Sequence, residues 1–171
     1  IAGRRYWRIP TMDGEFLVQE SVGVQKGVGG GNIILQAETI EAALASARRA
    51  VEAVRDLPGV ILPFPGGVVR SGSKVGSIYK KLVASTSDPY CPTLRGRTET
   101  RLFPGVNHAL EIVIDGADEP AVAQAMITAT RAAAGDGVIA ISAGNYGGKL
   151  GKFHFHLHEL LSSDNPEPPG S

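Results

Sequence analysis

Two stretches of the chain carry the same succession of apolar and polar positions. From Asn32, NIILQAETIEAALASARRAVEAVRDLPGVILPFPGG passes from a short apolar run to apolar residues at helical spacing and back to a short apolar run. That pattern predicts a strand, an Ala-rich amphipathic helix from about Ile40 to Arg55, a stop at Pro58-Gly59, and a second strand. From Leu110, LEIVIDGADEPAVAQAMITATRAAAGDGVIAISAGN repeats the order, with Asp118 as a helix N-cap, Pro120 in the first turn and Gly137 before the closing strand. A single offset of 78 residues carries Gly59 onto Gly137, Ile34 onto Ile112 and Val60 onto Val138 without a gap. Two βαβ units in tandem, over 32–65 and 108–148, predict an α+β fold of the ferredoxin-like split βαββαβ type: an antiparallel sheet with both helices on one face.

The remaining pattern is arranged around these units. RRYWRIP and EFLVQE alternate on either side of TMDG, which predicts a β-hairpin over 4–20 turning at Asp13-Gly14. The glycine run GVQKGVGGG over 23–31 is followed by a strand and by no GK[ST], so a flexible turn or a close approach of backbones is the better reading than a phosphate loop. Residues 66–107 form an insertion between the units, much longer than an ordinary connection. Its middle, SKVGSIYKKLVAS, predicts a short helix with Ser73 near its start and Val75, Ile78 and Leu82 facing inward. GKFHFHLHEL alternates and predicts one more strand within a lobe ending near 162, while the polar, Pro-rich residues 163–171 predict a disordered tail.

Composition narrows the class. A chain of 171 residues, 43% hydrophobic and 20% charged, suits one well-buried soluble domain or one lobe of something larger. No apolar run reaches the roughly 20 residues of a membrane helix, and a cytoplasmic location is the default expectation. The lone Cys91 has no disulfide partner within the chain, in keeping with a reducing compartment. An opening on Ile1 that passes at once into strand-like sequence suggests a piece of a longer polypeptide. Lys and Arg total 17, as do Asp and Glu, yet Gly66–Arg95 and Ser142–Lys152 together hold seven cations and one anion, leaving ten cations against sixteen anions elsewhere. The neutral total therefore hides a positive region on an acidic body.

Several residues are candidates for chemistry. On the strand from His108, alternation places Glu111 with Ala109 and Val113, at a position where the sister unit has Ile33. It is either a solvated carboxylate at an edge or a half-buried one suited to general acid–base work, and alternation alone favours the solvated face. Cys91 has no base nearby in sequence and reads better as an inert small hydrophobe than as a nucleophile. His154, His156 and His158 share one face of the expected strand at a spacing that suits zinc, but no carboxylate or thiolate evidently completes a site. Lys149 and Lys152 are either solvated charges or, in company with Asn145 and Tyr146, part of a binding loop.

Three stretches, FPGGVVRSGSKVGSIYKKLVASTSDPYCPTLR, ISAGNYGGKLGKFHFHLHEL and RRYWRIPTMDGEF, closely resemble the formylmethanofuran:tetrahydromethanopterin formyltransferases of methanogens and methylotrophic bacteria. The resemblance runs from Arg4 to Leu161 and is to the family's C-terminal, or distal, lobe; nothing here corresponds to the N-terminal lobe. It implies direct transfer of a formyl group between the amine of methanofuran and N5 of tetrahydromethanopterin. The two C1 carriers are then substrates, with no permanently bound cofactor, no metal and no covalent enzyme intermediate. It maps the acid–base glutamate onto Glu111 and makes Ser71, Ser73, Thr86 and Asn145 candidate donors to the formyl oxygen. Lys74, Lys149 and Lys152, with Tyr146, become candidates for holding the carriers and their anionic groups. The implied partners are the N-terminal lobe, further copies in a dimer or tetramer, and a larger formyltransferase/hydrolase complex. The rival reading is a non-catalytic ferredoxin-like module for binding or subunit assembly. RNA binding, which the same topology also serves, is disfavoured by the acidic body and the lack of an aromatic RNP-like stretch.

Overall fold

The computed structural model describes residues 1–70, 73–75, 80–81, 84–144 and 152–164. The chain opens with a two-stranded antiparallel ribbon, β1 (Tyr6–Thr11) and β2 (Gly14–Gln19), joined through Met12 and Asp13. The turn therefore sits one residue earlier than expected: Gly14, at φ 147°, pairs with Thr11 and opens β2. The Thr11 hydroxyl, 2.8 Å from Asp13 Oδ1, leads the interactions that hold the Asp13 carboxyl below the usual carboxylate range. Register puts Trp7, Ile9, Phe16 and Val18 on one face and Arg8 with Glu15, paired at 2.8 Å, on the other.

The body is an α/β layer. Strand β3 (Val28–Ala37) leads into helix α1 (Ile40–Val54) and a two-residue strand β4 (Val60–Ile61). The insertion contributes β5 (Val69–Arg70), β6 (Ser73–Val75) and β7 (Ala84–Thr86). Then come β8 (His108–Gly116), helix α2 (Glu119–Ala133) and β9 (Val138–Ser142). The main sheet has the order β4-β8-β3-β9, with β5 also on β8, and every neighbouring pair is antiparallel. Thr39 and Asp118 cap the two helices by accepting from Ala42 N at 3.2 Å and Ala121 N at 2.9 Å, and such caps stabilise by about 1 kcal/mol each. Arg49 and Ser46 reach across from α1 to the last carbonyls of α2, with Ser46 Oγ 2.8 Å from Ala133 O.

Both helices lie on one face of the sheet. Ile33 and Leu35 of β3, with Leu110, Ile112 and Ile114 of β8, pack against the alanine-rich sides of α1 and α2. Small side chains bring helix and sheet close, and the glycine run belongs to that approach. A Cβ on Gly31 would lie 2.4 Å from Val122 Cγ1, and one on Gly27 2.7 Å from Gly116 O. Among the described residues no helix is long and apolar enough to cross a membrane.

Two expected elements differ. At the ends of SKVGSIYKKLVAS the described residues pair as strands, with Ser73 opposite Thr86 and Val75 opposite Ala84, while the middle of the predicted helix, residues 76–79, 82 and 83, lies outside the described set. Glycine and serine within the stretch weaken a helix, and pairing satisfies the backbone instead. The strand predicted in GKFHFHLHEL is replaced by an irregular segment and helix α3 (Leu157–Ser163). Leu157 and Leu160, three residues apart, turn together onto the helical face of the core, and Arg131 pairs with Asp164 beyond the helix end. The expected disordered tail falls on residues 165–171, outside the described set, apart from Ser163 and Asp164.

Candidate functional site

The second face of the sheet carries the polar residues. Along β3, alternation sends Asn32, Ile34 and Gln36 away from the helices; on β8 it sends Ala109, Glu111 and Val113 the same way. Ile34 stands opposite both Glu111 and Ser142, and Val69 flanks Glu111 from β5. The latter part of the insertion folds over this face through short turns at Asp88–Tyr90 and Pro92–Leu94. Tyr90, Leu102 and Val106 close with Ile34 and Ala109 into a second, smaller core, and the Arg95 guanidinium donates to Val106 O.

Within this cover lie polar groups that water no longer reaches. Glu111 is 1% exposed and Gln36 0%, which corrects the expectation of a solvated carboxylate. A buried polar group is costly unless its hydrogen bonds are replaced. Asn32 Nδ2 donates to Glu111 Oε1, and Asn32 Oδ1 accepts from the backbone N of Gly144 at 2.9 Å. Gln36 Nε2 donates to Ser142 Oγ at 3.0 Å, while Gln36 Oε1 accepts from Phe103 N at 3.1 Å. The result is a carboxyl held beside an oriented amide, an arrangement suited to taking up and returning a proton.

Asn32 and Gln36 escaped sequence reasoning, although the signal was present. In GNIILQA they fall on one face of a strand otherwise apolar enough to be buried, and polar side chains in such a place must find partners. Asn32 also lines a cleft of about 720 Å³ along the edge of β3 that β9 leaves uncovered. Gly30, Phe103, Ser142, Gly144 and Phe153 share its wall.

The other predicted residues are dispersed. Thr86 is exposed on β7 and is the register partner of Ser73; Lys74 is the next residue on β6. Lys152 is exposed. Ser71, Asn145, Tyr146 and Lys149 lie outside the described residues. Cys91 is half-buried, its Sγ 3.3 Å from Thr93 Oγ1. His154 and His156 occupy the irregular segment and His158 lies in α3, so the three do not share a strand face, although all three line the cleft beside Asn32. Among the described residues no group of three or more His, Cys, Asp or Glu is placed to hold a metal ion.

Comparison with known proteins gives the family of the chain. A family model described as "FTR, proximal lobe" matches residues 14–160. The formylmethanofuran–tetrahydromethanopterin formyltransferase of Methylococcus capsulatus is 57% identical over 166 residues, 95% of this chain and 56% of its own length. A subunit of the formyltransferase/hydrolase complex of Methylorubrum extorquens is 53% identical over 92% of this chain and 52% of its own. The crystal structure of that complex with methylofuran superposes with a TM-score of 0.75 over 92% of this chain and 53% of the matched one, at 53% identity. The formyltransferase of Methanosarcina barkeri gives 0.76 at 45% identity, over 94% of this chain and 55% of its own. The chain thus spans about half the length of the curated relatives it matches. The proximal-lobe match overturns the expected assignment to the distal lobe, which rested on the resemblance of short stretches of sequence. By that match, this chain belongs to the formylmethanofuran–tetrahydromethanopterin formyltransferase family, in the region that forms its proximal lobe.

Proposed function

We propose that the chain supplies the acid–base side of a formyl transfer between methanofuran and N5 of tetrahydromethanopterin, as one lobe of a two-lobe acyltransferase. The observation that carries this reading is Glu111, a carboxyl 1% exposed and held by the Asn32 amide, in a chain of this family. The amine of the accepting carrier attacks the formyl carbon, forming a C–N bond and a tetrahedral oxyanion. Glu111 takes the proton that the attacking nitrogen releases. It returns that proton to the departing amine as the original C–N bond breaks, so the carboxyl ends the cycle as it began. Withdrawal from water suits this role, because little solvent must rearrange as charge moves.

The remaining assignments follow the same reading. Ser71, Ser73, Thr86 and Asn145 are candidate donors to the oxyanion, and Lys74, Lys149 and Lys152, with Tyr146, hold the carriers. Both carriers act as substrates, and no permanently bound cofactor is invoked. The partner is the N-terminal lobe of the same enzyme, within a homo-oligomer of cytoplasmic location. Membership of a larger formyltransferase/hydrolase complex is supported by a relative named as a subunit of one. The ferredoxin-like split reading is supported by the strand order β4-β8-β3-β9 with both helices on one face.

The test is Glu111→Gln in the two-lobe enzyme. It keeps shape and hydrogen bonding but removes the proton acceptor, so kcat falls by about 100-fold to 10,000-fold with KM nearly unchanged. Turnover at the level of the unaltered enzyme would reject the catalytic role and leave the non-catalytic assembly module as the better reading.

A further inference from the structure

Ser142 ends β9 on the same face of the sheet as Glu111. Both residues stand opposite Ile34, one on each side of β3, and Ile141 before Ser142 packs with the main core on the other face. Ser142 also lines the cleft of about 720 Å³. We propose that Ser142 donates its hydroxyl proton to the formyl oxygen of a carrier bound in that cleft, with Gln36 as the positioning residue that aims it. The proposal deepens the formyl-transfer reading and rests on it for the identity of the ligand.

The direction of the hydroxyl follows from donor and acceptor identity. A backbone N–H only donates, so Phe103 N, 3.1 Å from Gln36 Oε1, fixes which end of the Gln36 amide is the carbonyl. The other end is then the NH2, which donates to Ser142 Oγ at 3.0 Å. Gln36 is fully buried, so water offers neither end an alternative partner. A serine hydroxyl has one proton to give and lone pairs with which to accept. Because Ser142 accepts from Gln36, its own proton is left for a different acceptor. Among the described residues no second group is bonded to Ser142 Oγ, and the cleft is where an acceptor can enter.

A formyl oxygen suits this donor. It offers lone pairs and no proton, and its negative charge grows as the amine adds to the formyl carbon, so an O–H already aimed at it binds more strongly in the transition state. The same arrangement argues against Ser142 as a nucleophile. Activation would need a neighbour that takes the hydroxyl proton, and the Gln36 NH2 only donates. The backbones of Ser142 and Glu111 are two strand spacings apart, about 10 Å. Glu111 Oε1 is bonded to Asn32, which lines the same cleft, so hydroxyl and carboxyl approach one ligand from the two strands that flank β3.

The test uses the two-lobe enzyme with formylmethanofuran labelled with carbon-13 in its formyl group and no accepting carrier, so that nothing is transferred. Infrared difference spectroscopy reads the formyl C=O stretch, which a hydrogen bond to the oxygen lowers. In Ser142→Ala the band moves to higher frequency than in the unaltered enzyme. In the full reaction the same variant loses about 100-fold to 1,000-fold in kcat with KM nearly unchanged. Ser142→Thr keeps the hydroxyl in a residue that suits a strand and holds both readouts near those of the unaltered enzyme. Ser142→Cys, whose thiol is a weak donor, moves the band part of the way and carries the test alone if the alanine variant does not fold. A band that stays in place in folded Ser142→Ala or Ser142→Cys, or failure of the unaltered enzyme to bind the carrier, overturns the proposal. The band does not depend on turnover, so the two readings fail separately. A fully active Glu111→Gln defeats the acid–base role, and an unmoved band beside an inactive Glu111→Gln defeats only the role of Ser142.

Discussion

Gln36 shows how the buried polar face is held together. Its amide uses both ends, donating to Ser142 on β9 and accepting from Phe103 N in the covering segment. It therefore fastens the sheet edge and the cover to the central strand at one point. Gln36→Leu keeps most of the volume but leaves the Phe103 N–H without its acceptor in a site 0% exposed at residue 36. A loss of about 1–3 kcal/mol in chemical denaturation is expected. A change below the precision of the measurement would mean that the segment finds another acceptor.

At the scale of elements, the contact between β3 and α2 is set by absence of side chain. A Cβ at position 31 would lie 2.4 Å from Val122 Cγ1 and 3.3 Å from both Ile114 O and Met126 Sδ. Val122 is fully buried in the main core, so it has no free direction in which to yield. Gly31→Ala should cost about 1–3 kcal/mol, as overpacking of a close-fitted core does. The midpoint of urea unfolding checks it, and an unchanged midpoint would show that α2 can shift outward. The same tightness has a bearing on the site, since Gly31 adjoins Asn32 and fixes the point at which β3 leaves the helix for the cleft.

At the scale of the molecule, the hairpin stands outside the packed body. It leaves Trp7, Ile9 and Phe16 exposed, and among the described residues no other element packs extensively against it. A two-stranded ribbon by itself is marginal in water. The matched relatives are nearly twice as long as the region this chain covers. On the two-lobe reading, the 171-residue chain alone folds and lacks formyl transfer, and activity returns when the second lobe is supplied. Size-exclusion chromatography with light scattering, followed by the transfer assay on the same fractions, measures both. Transfer by the isolated chain in a defined oligomer would show that one lobe builds the site.

Periodicity and punctuation by themselves determined the two strand–helix–strand units, because their signals are local: apolar spacing, the Asp118 cap, and glycines at 59 and 137 that end a turn. They also singled out Glu111 as a carboxylate out of place beside the aliphatic residue of the sister unit. Short runs were less legible. GKFHFHLHEL fits period 2 and a helical turn almost equally, and only the core that receives Leu157 and Leu160 selects the helix. The Gly66–Arg95 stretch gave no sign of pairing with itself, because strand pairing depends on a distant partner. The burial of Glu111 and its bond to Asn32 belong to the tertiary structure alone. The two residues stand 79 positions apart in the chain, and antiparallel register brings them together under a cover that begins beyond Thr86.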